Sequence, residues 1–398
     1  MPSVLLPAIW LIVLIVGLPM LSETVYSPSL PAIAHALQSS ETLVEHTLSI
    51  YLFGFALGTL FWGKISDIFG RKPCVVLGLV IFSLGCLGCY FSKSIEVLMI
   101  SRLIQAFGGS IGSVLGQAIC RDAFHGPELG RVYSAIGASL ALFPALGPVC
   151  GGVIATHLGW VNIFLFLILF ALGVLSLVVS QLPETHPKAD RHSVSLSQLT
   201  ARLISDKNVL GYGLIIAGCN GIAFSYFAEG SFCLINVLGV SAQRYGLSFM
   251  LIAAASMMGG LLSRYLQSSC SSKKIMSCGL WVAGGATGCF SLITLFHSAL
   301  GLPSFIMISV ILCSQIICSF GMSMIISNAL ALSLMDYQYA IGAASSLFGF
   351  FYYCLISVFT FLMGVLHNGS LLPMPLYFLA LSCFMVVVRY TLLKDREA

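Results

Sequence analysis

Two carboxylates and one guanidinium stand in the chain where ionised groups are expensive. Glu23 closes an apolar run that begins at Leu5, Glu229 lies within the run 209–237, and Arg102 lies within the run 98–119. A charge in such surroundings is costly unless it is paired, hydrated or neutralised, so each of the three is a functional candidate. A carboxyl group in a low-dielectric site can take up a proton and give it back, and Glu23 and Glu229 are therefore the candidate proton-coupling groups, with Arg102 as the cation among them. Ser225, Tyr226 and Glu229 fall at i, i+1 and i+4, which makes a polar strip along one helix face. Tyr26, Tyr51, Gln105, Tyr226 and Asn328 are further polar side chains in apolar runs that could line a cavity. Each has a plainer alternative: Glu229 as an interhelical hydrogen bond, Arg102 as a cation snorkelling from a helix end, Glu23 as a group at the membrane interface.

Other chemistries lack their residues. The 14 cysteines are scattered, and their one Cys-x-x-Cys pair, Cys86 and Cys89, sits in an apolar run with no nearby charge, where packing is the expected role. The eight histidines show no metal-ligand spacing, and there is no phosphate-binding loop of the Walker type. The expectation is a protein that is not an enzyme, has no metal or catalytic site, and takes energy from a proton gradient rather than from a cofactor or ATP. A net charge of +4 without a basic tail gives no reason to expect nucleic acid.

The elements that must hold these groups follow from composition. The 398 residues are 58% hydrophobic and 8% charged, with a mean hydropathy of +1.01, against roughly a quarter charged in an ordinary soluble domain. Apolar runs recur at 7–35, 44–63, 74–92, 98–119, 132–155, 160–181, 209–237, 246–266, 275–297, 303–332, 341–366 and 373–393. Each is long enough to cross a hydrocarbon layer of roughly 30 Å as a helix, and none alternates as a barrel strand would. The first run has no basic segment before it and no small-residue cleavage site after it, so it is read as a span rather than a signal peptide. The longest polar stretch, 182–208, divides twelve spans into a six-helix bundle over 1–181 and another over 209–398.

The charges fix an orientation. With the N-terminus inside, fifteen of the 18 Lys and Arg residues fall on the cytoplasmic side, Lys93 and Arg244 fall outside, and Arg102 lies within a span. Such a bias places both termini and the polar linker in the cytoplasm. Basic loops recur after span 2 and after span 8, at Lys64–Lys72 and Arg264–Lys274. Repeated halves about a central site are a design for moving small molecules by rocking one half against the other.

The segment from Gly63 to Pro73 reads G-K-I-S-D-I-F-G-R-K-P. It resembles the signature loop G-x-x-x-D-x-x-G-R-[RK] of the major facilitator superfamily. There Gly63 and Gly70 would allow a tight turn, Asp67 would meet the start of span 11, and Arg71 would pair with an acid at the end of span 4, for which Asp122 is the candidate. Arg102, Gln105 and Gly108 are similar to the family's R-x-x-Q-[GA]-x-G, and Gly108, Gly112 and Gly116 follow as one smooth face. Gly147, Pro148, Gly151 and Gly152 resemble the antiporter motif G-x-x-x-G-P-x-x-G-G, with Phe143 at its first glycine.

Together with 49–58, 118–122, 182–185, 228–233 and 342–349, these segments resemble the Bcr/CflA branch of drug:proton antiporters over nearly the whole chain. That branch carries an Asp in span 1, in a text like T-D-M-Y-x-P-x-L-P. Here Thr24 holds that position and the acid is Glu23, about 100° away around a helix. The resemblance implies a monomeric, proton-coupled exporter of drugs or small amphipathic molecules in a bacterial inner membrane, able to confer antibiotic resistance. A transporter of the same fold for one metabolite, such as an amino acid or a siderophore, in either direction, is the alternative.

Overall fold

The computed structural model describes residues 6–124, 126–186 and 196–393. Among the described residues all regular structure is helical. A backbone in lipid has no water to bond, so each span satisfies its own N–H and C=O groups. Eleven helices are long and apolar enough to cross a membrane, and Leu142–His157 supplies a shorter apolar stretch. Helices occur at all twelve of the apolar runs, giving the twelve-helix fold expected from them.

The first span is broken. Helix α1 (Ile9–Thr24) gives way to a 3-10 turn at Ser27–Ser29 and to α2 (Leu30–Ala36), because Pro28 and Pro31 each remove a backbone donor. Span 2 is α3 (Glu41–Phe69) and span 3 is α4 (Arg71–Tyr90). The signature segment is therefore mostly helix. Its turn is Gly70 alone, at a φ of 99° that suits only glycine, while Gly63 lies inside α3, where the Ser346 hydroxyl leaves no room for a Cβ.

Span 4 is α5 (Ile95–Gly109) followed by α6 (Ile111–Ala123), with a break at Ser110. The break divides the small-residue face. Gly108 abuts the Phe82 backbone of α4, whereas Gly112 and Gly116 abut Ile15 and Val16 of α1. Spans 5 and 6 are α7 (Gly126–His157) and α8 (Asn162–Gln181).

Part of the expected linker, 187–195, lies outside the described residues. The rest contains a helix, α9 (Leu196–Ser205), whose Leu199 and Leu203 are buried. Asp206 then caps α10 (Lys207–Ser231) by accepting from the backbone N–H of Asn208 at 2.9 Å. The remaining spans are α11 (Ala242–Leu266), α12 (Ser272–Leu300), α13 (Ser304–Ser333), α14 (Ile341–Leu366) and α15 (Pro373–Thr391).

Two hydrophobic cores result. One gathers residues of α1 to α8 such as Leu11, Val44, Phe82 and Phe164; the other gathers residues of α10 to α15 such as Ile215, Phe249, Ile311 and Phe378. Phe227, Tyr352 and Phe359 pack against both cores and mark the seam between them.

Close helix approach at Gly108 yields a test. Gly108→Ala places a methyl against the backbone of Phe82 and should cost about 1–3 kcal/mol, read as a lower melting temperature of the detergent-purified protein. Gly137→Ala, with nothing within 4 Å of the added methyl, should leave it unchanged or raise it.

Candidate functional site

Where α1 meets α3 and α5, a group of polar side chains is buried. Arg102 of α5 is fully buried, and its guanidinium lies 4.4 Å from the ring centre of Tyr26 and 4.0 Å from that of Tyr51. It donates to Gln105 Oε1 at 2.7 Å, and Gln105 Nε2 donates in turn to Cys86 Sγ at 3.0 Å. Two aromatic faces and one amide thus hold a cation that does not snorkel to either surface. Cys86 and Cys89 are free thiols on either side of this network, Cys89 donating to Gln105 Oε1 at 3.9 Å.

Glu23 is buried on the side of α1 that faces Arg102, yet makes no direct ion pair with it. Its Oε1 is enclosed without a hydrogen-bond partner, as are Nε and Nη2 of Arg102. Thr24, one residue on, donates to the Met20 carbonyl at 3.0 Å and crowds Gly147 of α7. The one-residue displacement therefore turns the acid away from α7 and toward the tyrosines of α3 and α14.

A cavity of about 560 Å³ lies between the two bundles at the end that carries the signature segment. Met20 of α1, Thr59 and Asp67 of α3, and Gly342, Tyr352 and Tyr353 of α14 are among its walls. Tyr26, Tyr51, Gln105, Tyr226 and Asn328 do not line it in this conformation. The first three hold Arg102, or are held by it. Tyr226 packs against Tyr245 and Phe249, and Asn328 joins α13 to Ser263 of α11 through a 2.8 Å hydrogen bond. Buried polar groups in a helical membrane protein are as readily joints as linings, and for these five the joints took precedence.

The signature residues form a compact network within one bundle. Arg71 donates from Nε to Asp122 Oδ2 at 2.7 Å and from Nη1 to Asp67 Oδ1 at 2.6 Å. The Arg71–Asp122 pair is the one expected. Asp67 is held by Arg71 of its own segment instead of by the start of α14, whose Ile341 and Gly342 share the cavity wall with it. Glu184 completes the network by accepting from the backbone N–H groups of Arg71 at 2.9 Å and Lys72 at 3.2 Å, so it caps α4. Sequence reasoning missed that role, although Glu184 lies in a segment quoted for the family resemblance.

At the opposite end a second charged cluster crosses the seam. Glu229, near the end of α10, is fully buried, and its Oε2 lies 2.7 Å from Nδ1 of His367, just past α14. Nε2 of His367 lies 2.9 Å from Glu41 Oε2, and Nδ1 lies 3.5 Å from Glu45 Oε1. Glu41 and Glu45 belong to α3 of the first bundle, and Asn236 reaches across to Glu41 at 2.6 Å. The hydrogen bond to Glu229 holds the His367 imidazole above its ordinary pKa, against the opposing effect of burial. Side-chain oxygen and nitrogen atoms of Glu45, Glu229 and His367 lie within 4.8 Å of one another, a juxtaposition that no spacing along the sequence announces. The available signal was an acid one turn inside the start of span 2.

Pro148 and Gly152 of the antiporter-like motif lie on the seam as well, while Gly147 and Gly151 face Thr24 and Val25 of the first bundle. A Cβ on Gly151 would overlap the Val25 carbonyl, one on Gly152 the Ala242 carbonyl, and Gly246 of α11 abuts the Pro148 carbonyl. Nearby, Ser27 donates to the Phe227 carbonyl and lies 3.0 Å from the Tyr245 hydroxyl.

The model of the Major Facilitator Superfamily matches residues 12–361. The chain belongs to this superfamily. A protein of Rickettsia bellii named as an uncharacterized transporter is 33% identical over 387 residues, covering 96% of each chain. A bicyclomycin resistance protein homolog of Haemophilus influenzae is 34% identical over 237 residues, 59% of this chain and 60% of that one. Multidrug resistance protein D of Escherichia coli is 29% identical over 250 residues, 63% of each. Among solved structures, a D-xylose-proton symporter superposes with a TM-score of 0.78 over 98% of each chain at 14% identity, which bears on the fold. This major facilitator protein is therefore a membrane transporter of small molecules, and not an enzyme.

The Arg102 pocket yields the second test. Arg102→Lys keeps the charge but loses the planar group that stacks on Tyr26 and Tyr51. A desolvated cation–π contact is worth about 2 kcal/mol, so the variant should melt at a lower temperature in detergent, by several degrees, than the parent.

Proposed function

We propose that the protein is a proton-coupled exporter of drugs or other small amphipathic molecules, working by alternating access in a bacterial inner membrane. The observation that carries the reading is the pair of buried acids, Glu23 and Glu229, neither of which is ion-paired to a Lys or Arg among the described residues. A buried carboxylate whose charge no Lys or Arg balances is costly when ionised, so a change in its charge would alter the stability of one conformer relative to another. Glu23 stands close to Arg102 and to the cavity wall at Tyr353, where bound substrate and bound proton can compete. The names of the Haemophilus and Escherichia relatives support drugs as the substrate class.

The orientation follows the excess of Lys and Arg at the signature end, which puts that end, the cavity and both termini in the cytoplasm. The polar stretch 182–208 then serves as the cytoplasmic tether between halves, and the Glu41–His367 end faces outward. The protein would act as a monomer, each copy containing a whole translocation path. A single-metabolite transporter of the same fold is the second reading, favoured by the 33% identity to a relative whose name gives no substrate.

In everted vesicles with an acid interior, addition of substrate from a drug panel should collapse part of the proton gradient. Glu23→Gln and Glu229→Gln should each reduce that response to background. Full coupling in both variants would remove these residues as carriers, and a response to one metabolite but to none of the drugs would favour the second reading.

A further inference from the structure

The cluster at the outward end contains more proton acceptors than a simple ion pair requires. Both nitrogens of His367 sit at hydrogen-bond distance from a carboxylate oxygen, Nδ1 at 2.7 Å from Glu229 and Nε2 at 2.9 Å from Glu41. A neutral imidazole carries one N–H, so at least one further proton is needed to satisfy both contacts. Glu45 adds a third carboxyl group. It is fully buried, lies 3.5 Å from the same imidazole, and has no hydrogen-bond partner on either oxygen. With all three acids ionised and the imidazole protonated, the cluster would hold two net negative charges between two bundles packed together. No Lys or Arg is paired with any of the three acids among the described residues. The other titratable groups at hand are Cys233, whose thiol lies 3.5 Å from Glu229 Oε1, and His46, next to Glu45 and packed on Phe361 of α14. Only added protons balance that charge from within.

We infer that Glu45, Glu229 and His367 form a proton-binding site shared by the two halves, which holds the outer seam closed while it is protonated. The acids come from both sides of the seam: Glu41 and Glu45 from α3, Glu229 from α10, with His367 carried past the end of α14. Protonated, they attract across the seam through His367. Deprotonated, the same acids face one another in a site closed to water, and repulsion favours separation. Glu41, 34% exposed, is the member that meets the aqueous side and gives protons an entrance. The sign follows from His367 as well: its contribution to closure is present at low pH and is lost as pH rises through its raised pKa. The inference deepens the proton-coupled reading and rests on it for the direction called outward; the site itself does not depend on transport.

Infrared difference spectroscopy on the full-length protein in detergent with EDTA tests it without any substrate. On a pH titration the parent should show the carbonyl stretch of a protonated carboxylic acid, disappearing as pH rises. Glu45→Gln and Glu229→Gln should each remove intensity from that band, His367→Gln should shift its titration, and Glu96→Gln, at an exposed helix start, should leave it unchanged. The parent should also open at the outer end on alkalinisation, read as loss of protection of 41–46 and 364–367 after correction for the intrinsic pH dependence of amide exchange, and Glu45→Gln should abolish that loss. A band unaffected by both Glu variants, or outer-end protection independent of pH in the parent, overturns the site. If the band behaves as expected while vesicles show no exchange of protons for any substrate, the site stands and the antiporter reading falls.

Discussion

Helices packed together within lipid must not bury an unbalanced charge. Hydrocarbon offers no counterion, and each stranded charge costs several kcal/mol. The buried ionisable groups of this chain are arranged under that constraint. Arg102 is enclosed within the first bundle by two tyrosine rings and an amide. Glu23 stands beside it, near enough to feel its field but not joined to it. Glu229 faces an imidazole that is itself shared with the other bundle.

The two ends of the molecule meet the constraint differently. At the signature end Arg71, Asp67 and Asp122 belong to the first bundle and Glu184 to the segment just after it, so none of these bonds involves the second bundle. At the far end Glu41, Glu45, Glu229, Asn236 and His367 are drawn from both bundles, so their bonds must break if the bundles part there. A self-contained network keeps a local shape, whereas a shared one ties shape to position.

Much of this was legible in the sequence. The twelve apolar runs located the spans because lipid imposes length and hydropathy on each of them separately. Arg71 and Asp122 could be paired in advance because the family pattern names both. At Asp67 the pattern gave the neighbourhood, since Asp67 shares a cavity wall with the start of span 11, but not its bond to Arg71; it misled at Gly63, which serves a helix contact rather than a turn. The five proposed cavity residues show the limit more generally: an isolated polar residue in an apolar run has to find a partner, and the run does not say whether the partner is a neighbouring helix or a substrate. His367 was invisible for a related reason. Its three acidic neighbours are 138 or more positions away along the chain, and only the packing of α3, α10 and α14 brings them together.

The glycines of α7 and α11 have a mechanical consequence. Gly151 and Gly152 meet the carbonyls of Val25 and Ala242, and Gly246 meets that of Pro148, so backbone rests on backbone with no side chain between. Such a contact tolerates a small tilt without any rotamer having to change. A helix of about 20 residues is roughly 30 Å long, so a tilt of about 10° about a point near one end swings the other by about 5 Å. These close contacts lie near the Glu41–His367 end and the cavity lies near the other. The contacts of Gly152 and Gly246 thus form a point about which a slight tilt between α7 and α11 at one face would be amplified along their length at the other.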